Sequence, residues 1–225
     1  MQYQIITTDD GSNTIYLPDM DEQYHSLNGA ITESDYVFIE KGYLYNKATN
    51  PTVFEAGFGT GLNCLLTALA AEKHKKNTSY ISLEQFPLSE EIINKLNYGK
   101  LLSHRASELF KIIHRCRWEM FVKISHYFQL YKMFADITKC DWQIKKGFDI
   151  IYYDAFAPNK QEEMWVPEIF NRLFDMTKAG GILVTYSAKG EVRRRLAAAG
   201  YKMERLPGPP GKKEMLRGIK VNSNI

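Results

Sequence analysis

Two hydrophobic rhythms divide the chain. Residues 4–17 alternate apolar and polar side chains on both sides of Asp10-Gly11, which predicts a small β-hairpin. Residues 21–40 are polar, contain Asn28-Gly29 and leave room for one short helix. From Thr52 onward, short apolar runs alternate with stretches of helical period. The spacing predicts strands over 52–56, 80–84, 148–153 and 182–186. Helices are predicted over 62–73, 107–115 and 191–199, the last closed by Gly200, and from Pro167 to a stop at Gly180-Gly181. Ser89 reads as an N-cap, with Glu90 and Glu91 in the first turn facing the dipole. Residues 118–137 are rich in Phe, Tyr, Val and Ile and break near Ser125-His126, so they read as two strands, the second ending at Asp136. A final strand pair, 201–206 and 215–221, flanks Pro207-Gly208-Pro209-Pro210-Gly211.

Strands alternating with helices predict a doubly wound, Rossmann-like α/β fold, with a mostly parallel sheet covered on both faces. The expected organisation is an N-terminal hairpin and pocket-lining extension over 1–50 and the α/β body over 51–225, in one compact unit. In such sheets ligands bind beyond the carboxyl ends of the strands, at the switch point. The residues at those ends are Glu55 with the following glycines, Glu84, Asp136 and Asp154.

The glycine loop is Gly57-Phe58-Gly59-Thr60-Gly61. The dinucleotide fingerprint G-x-G-x-x-G needs a third glycine where this chain has Leu62, so that motif fails. The spacing is G-x-G-x-G, with Glu55 just before it. A carboxylate there opposes a phosphate and suits the cationic amino and sulfonium groups of S-adenosylmethionine. Glu84 follows Gly61 by 23 residues and can accept both hydroxyls of a ribose, a spacing that fits either adenosine cofactor. Asp136 can accept from an adenine amino group or serve as an ordinary turn cap. Asp154 ends the apolar strand Phe148-Asp149-Ile150-Ile151-Tyr152-Tyr153, where a substrate meets the cofactor. A carboxylate in that place can hold an amine nucleophile and help remove its proton.

Charge changes the picture of the partner. The net charge is +3, but residues 189–217 carry +6 and residues 1–188 carry −4. A basic end on an acidic body suits a polyanion, or is a solvated helix face with a charged tail. Cys64, Cys116 and Cys140 are scattered, with no C-x-x-C pair, and the five histidines lack metal spacing, so no metal is expected. His25 is expected to line a pocket, and His74, His104, His114 and His126 to lie on the surface. No apolar run of about 18 residues is present and the N-terminus is polar, so a cytoplasmic location is expected.

These residues fall into longer strings. They are Asp21-Glu22-Gln23-Tyr24-His25-Ser26 with Asn28-Gly29-Ala30 and Glu33-Ser34; Phe54-Glu55-Ala56-Gly57-Phe58-Gly59-Thr60-Gly61-Leu62-Asn63; Ser82-Leu83-Glu84; Asp154-Ala155-Phe156-Ala157-Pro158 ending in Met164-Trp165; and Lys212-Lys213-Glu214-Met215-Leu216 with Gly218. In order and over nearly the whole chain, they resemble the MnmC-type tRNA methyltransferase domain.

The resemblance implies a Rossmann-like sheet of the S-adenosylmethionine-dependent methyltransferase type. It implies methylation of the amino group of 5-aminomethyl-2-thiouridine at the tRNA wobble position. Glu55, Gly57, Gly59, Gly61, Glu84 and Asp136 are then expected to bind S-adenosylmethionine, and Asp154 to orient the amine. Tyr24, Asn28, Glu33, Phe156 and Lys160 are expected to line the substrate pocket. Arg193, Arg194, Arg195, Lys212 and Lys213 are expected to meet the tRNA backbone. Many relatives carry a fused flavin-dependent oxidoreductase. A chain of 225 residues has no room for it, so the aminomethyl group is expected from elsewhere, with a separate oxidoreductase or an upstream tRNA-modifying enzyme as the expected partner. Two competing functions are an aminopropyltransferase of the spermidine-synthase type, against which the basic end speaks, and a catalytically inactive RNA-binding module, against which the acidic set speaks.

Overall fold

The computed structural model describes residues 2–139 and 147–221. Cys140 lies outside the described residues. The N-terminal segment builds an antiparallel sheet of three strands, β1 (Gln4–Thr7), β2 (Asn13–Leu17) and β3 (Glu22–Gln23). The hairpin is as expected; β3 is an addition too short to leave a periodicity. Helix α1 (Ala30–Ser34) runs into a wider coil over Asp35–Tyr43, in which the Leu44 amide reaches back five residues to the Ile39 carbonyl.

The body consists of β4 (Thr52–Ala56), α2 (Leu62–His74), β5 (Thr78–Glu84), α3 (Glu90–Ile93), α4 (Tyr98–Leu102), α5 (His104–Arg115), β6 (Phe121–Ser125), β7 (Phe128–Phe134), β8 (Phe148–Tyr153), α6 (Pro167–Met176), β9 (Thr177–Thr185), α7 (Gly190–Ala198), β10 (Lys202–Pro207) and β11 (Glu214–Ile219). Eight strands form one sheet in the order β10-β11-β9-β8-β4-β5-β7-β6. The five central strands are parallel, β6 pairs antiparallel with β7 at one edge, and at the other β11 runs antiparallel between β9 and β10. The sheet is the mostly parallel, doubly wound one expected, and its switch point lies at β4.

The central strands are apolar throughout because both faces are covered. Tyr152 packs with α2 and the Asp35–Tyr43 coil on one face, and Tyr153 with α6 and α7 on the other. On α5 the buried residues Ala106, Leu109, Phe110 and Ile113 trace one stripe, and Ser103 Oγ caps the first turn from Ala106 N at 3.0 Å.

One boundary differs from expectation. Helix α6 ends at Met176, and Gly180-Gly181 lie inside β9. A side chain at Gly181 would stand 2.9 Å from the Phe148 carbonyl, so the glycine serves close approach of β8 to β9 where their register shifts. The one-turn helix α4 was not expected; α5 begins at His104, earlier than the predicted 107.

Candidate active site

A cavity of about 350 Å³ opens at the carboxyl ends of β4, β5, β7, β8 and β9. Its walls bring together Gly57, Gly59, Glu84, Asp136, Asp154, Phe156, Tyr24, Glu33 and Lys212 from the expected set. His25 lines it as well. Gly61, Asn28, Lys160 and the arginines at 193–195 do not, and neither does Glu55.

The glycine loop leaves β4 with all three glycines at positive φ, a region that other residues rarely adopt. At Gly57 the constraint is also steric: a Cβ would meet the Asp154 carbonyl at 2.9 Å. The loop is gripped at Thr60 from two sides. His25 Nε2 shares a hydrogen bond of 2.8 Å with its hydroxyl, and His114 Nε2–H donates to its carbonyl at 3.1 Å. Burial lowers the pKa of each histidine to about 4, so both are neutral at pH 7. His114 is therefore not the surface residue expected. It follows Phe110 by one helical turn and continues the buried stripe of α5, a signal the sequence did contain. Beneath it, the buried Lys132 donates to the Ile113 and His114 carbonyls at 2.9 Å each and closes the C-terminus of α5.

Glu84 stands at the tip of β5. Its Oε2 accepts from Gly59 N at 2.9 Å and its Oε1 from Phe86 N at 2.7 Å. Each oxygen keeps a second lone pair, which suits a pair of ribose hydroxyls. Asp136 closes a tight turn, accepting from the Thr138 amide at 2.9 Å and from its hydroxyl at 2.6 Å. Although burial pushes its pKa up, these bonds and Lys139 hold it below the ordinary value. It faces the cavity from that turn, so the cap role and the wall position coexist.

Glu55 stands behind the cavity wall rather than in it. It sits one pleat inside β4, fully buried beneath α2, and Ser82 Oγ donates to its Oε2 at 2.5 Å. Burial raises its pKa to about 8, which favours the protonated carboxyl at pH 7.

Asp154 takes one bond, from Asn63 Nδ2 to Oδ2 at 2.7 Å. Burial raises its pKa to about 7; the Asn63 bond and Lys212 pull it down, and Glu33 pushes it up. The following loop is pinned by aromatic side chains. Trp165 Nε1 donates to the Phe156 carbonyl at 2.8 Å, Tyr186 OH donates to the Ala155 carbonyl at 2.9 Å, and Tyr153 OH donates to the Met164 carbonyl. This is the physical content of the D-A-F-A-P…M-W string: buried rings fix the backbone that aims Asp154.

The N-terminal segment forms the opposite wall. Tyr24 packs edge-on against Phe156, ring centroids 5.1 Å apart, and its ring would lie 3.2 Å from a Cβ at Gly59. Glu33 accepts from Ser26 N at 2.8 Å and pairs with Lys212. Lys160 instead donates to the Met20 carbonyl at 2.9 Å and straps this wall to the body. Asn28 lies outside, against Gly211 in the β10–β11 turn.

Of the residues expected on the tRNA surface, Arg194 and Lys213 are exposed, Arg193 is partly buried, and Arg195 donates to the Trp165 carbonyl at 2.7 Å. Lys212 turns inward. Arg217, part of the same basic stretch, is buried in an ion pair with Glu204 at 2.7 Å. Among the described residues no group of three or more His, Cys, Asp or Glu could hold a metal, and no helix is long and apolar enough to cross a membrane.

The cavity fits S-adenosylmethionine. A glycine backbone with no Cβ, the strand-tip carboxylate of Glu84 with free lone pairs, and the Asp154 carboxyl, its pKa raised by burial to about 7, share its wall.

Comparison with known proteins agrees. The sequence pattern of the S-adenosyl-L-methionine-dependent methyltransferase family matches residues 104–221. The tRNA 5-methylaminomethyl-2-thiouridine biosynthesis bifunctional protein MnmC of Leptospira interrogans is 32% identical over 211 residues, covering 88% of this chain and 32% of that protein. The protein of the same name from Cupriavidus metallidurans is 29% identical over 226 residues, covering 93% and 33%. The chain thus spans about a third of the length of these relatives. The crystal structure of MNMC2 from Aquifex aeolicus shares the fold, with a TM-score of 0.79 at 23% identity, covering 96% of this chain and 69% of that one. The chain belongs to the S-adenosyl-L-methionine-dependent methyltransferase family.

Proposed function

We propose that the chain methylates the primary amine of 5-aminomethyl-2-thiouridine at the wobble position of tRNA. The observation that carries this is one shared cavity, whose wall gathers Gly57, Gly59, Glu84 and Asp136, suited to the cofactor, with Asp154, Phe156, Glu33, Tyr186 and Lys212, suited to an amine substrate. The names of the MnmC relatives, which cover most of this chain, support the same substrate. The methyltransferase family pattern favours methyl transfer over aminopropyl transfer or an inactive module.

The chemistry the cofactor supplies when bound is a methyl on sulfonium sulfur: the amine lone pair forms the N–C bond, the C–S pair returns to sulfur, and nitrogen is left with one proton to shed. In-line displacement rewards alignment, and the protein provides it. Asn63 holds Asp154 Oδ2, so Oδ1 can accept from the incoming N–H and later take up the proton. Tyr24 and Phe156, packed edge to face, give the cavity wall an apolar contact against which the substrate can be aligned. The exposed Arg194 and Lys213 meet the RNA backbone. The segment 1–50 acts as a lining extension of the body, and the aminomethyl group is made by a different active site.

Incubating undermodified tRNA with methyl-labelled S-adenosylmethionine tests this. Label should appear in 5-methylaminomethyl-2-thiouridine. Label absent from tRNA, or found in a small polyamine, would refute it.

A further inference from the structure

Methylation needs a lone pair on nitrogen, yet an alkyl amine near pH 7 is mostly an ammonium ion. The substrate end of this cavity is rich in acids that would favour the ammonium. Glu33 faces it from α1, Asp154 from the tip of β8 and Glu22 from β3, with Glu84 and Asp136 across the cavity. The neutral His25 and Tyr24, from the segment after β3, and Tyr186, from the end of β9, complete the wall. Among the described residues that line it, one is a cation, while Lys139 pairs with Asp136 from beside the wall. Lys212 reaches in from the β10–β11 turn, pairs with the buried Glu33 and lies 4.0 Å above the centre of the Tyr186 ring. The ring and the carboxylate fix the ammonium in one place, and Ser26 N fixes the carboxylate.

We propose that Lys212 is a positioning residue of the cavity rather than a contact to RNA: its fixed charge disfavours the protonated form of the incoming amine and keeps Asp154 ready to accept a proton. A like charge nearby disfavours an ammonium, the means by which a neighbouring cation activates a lysine nucleophile elsewhere. Lys212 makes its ion pair with Glu33, while Asp154 takes its hydrogen bond from Asn63. The inference rests on the reading of this cavity as a site of amine methylation.

The test is the pH profile of kcat/KM on aminomethyl-bearing tRNA for the wild type, Lys212→Met, Lys212→Arg and Glu33→Gln. Removing the lysine charge should move the acidic limb to higher pH by about one unit, with activity recovered in alkali, and arginine should keep the wild-type limb. Glu33→Gln leaves the lysine in place and should move the limb the other way; it carries the test if Lys212→Met does not fold. Limbs that stay put in both variants overturn the proposal. So does a fall of about 0.7 to 0.9 in the salt slope of tRNA binding on Lys212→Met, the mark of a lost phosphate contact. A second readout needs no turnover. In ¹³C-carboxyl NMR, Asp154 should titrate about one unit higher in Lys212→Met than in the wild type. If the wild type methylates no aminomethyl tRNA at any pH, the proposed function fails, and the NMR titration alone decides whether Lys212 governs Asp154.

Discussion

Glu55→Gln gives a sharp test of how charge is distributed in this fold. Glu55 is fully buried and its pKa is raised from 4.5 to about 8. The unfolded chain therefore releases this proton first as pH rises. Stability from this group is complete below about 4.5, declines as pH climbs toward 8, and levels off above it. Each pH unit inside that window costs about 1.4 kcal/mol, so the loss between pH 5 and pH 8 is about 4 kcal/mol. Glutamine has the same shape, never ionises and still accepts from Ser82 Oγ. At pH 5 the variant should match the wild type within about 1 kcal/mol, and at pH 8 it should be the more stable by about 3 to 4 kcal/mol. Urea unfolding followed by tryptophan fluorescence at both pH values measures the gap. His25 and His114, whose shifts have other causes, cancel in the difference, and the charge of Asp154, which helps raise the Glu55 pKa, is part of the gap. A gap that does not change with pH would mean that Glu55 is ionised in the folded protein, and the assignment of a neutral carboxyl beneath α2 would be wrong.

Further outcomes follow from the same geometry. Asp154→Asn should bind S-adenosylmethionine as the wild type does in calorimetry and lose about 10²- to 10⁴-fold in methyl transfer; turnover near the wild-type rate would make Asp154 structural. Because its carboxyl ionises near pH 7, the wild-type rate should rise through that pH, whereas Asp154→Asn should show no such limb. Glu84→Gln should weaken cofactor binding about tenfold or more, since a charged acceptor shared by Gly59 N and Phe86 N becomes neutral; an unchanged Kd would place the ribose elsewhere. Reversing Arg194 and Lys213 to Glu should lower the salt slope of tRNA binding by about 1.5 or more, and an unchanged slope would move the RNA surface to another face.

What the sequence conveyed follows the physics of each position. The sheet was legible because buried parallel strands are apolar throughout and end abruptly in a carboxylate; Glu84 and Asp154 are such tips. Glu55 is not such a tip: the pleat, invisible to motif matching, turns its side chain under α2 beside Ser82 rather than out to the cavity. His114 carried a readable signal, one turn after Phe110. Lys212 carried none. It belongs to a basic stretch whose members the fold sends to different places: Arg217 into the sheet, Arg195 onto a carbonyl, Lys213 into solvent and Lys212 into the pocket. Which cation turns inward depends on where the turn after β10 docks, and Tyr36 OH fixes that by donating to the Pro207 carbonyl at 2.9 Å, across 171 positions of chain.

The place of β11, between β10 and β9, has a consequence for synthesis. The wall that holds Lys212 is tethered by this strand, which the ribosome makes after every other strand of the sheet. A nascent chain emerging just past β9 already owns the glycine loop, Glu84, Asp154 and every described lining residue of the pocket but Lys212. The parts that recognise the cofactor are thus laid down early, and the charge that tunes the amine arrives with the strand that seals the sheet.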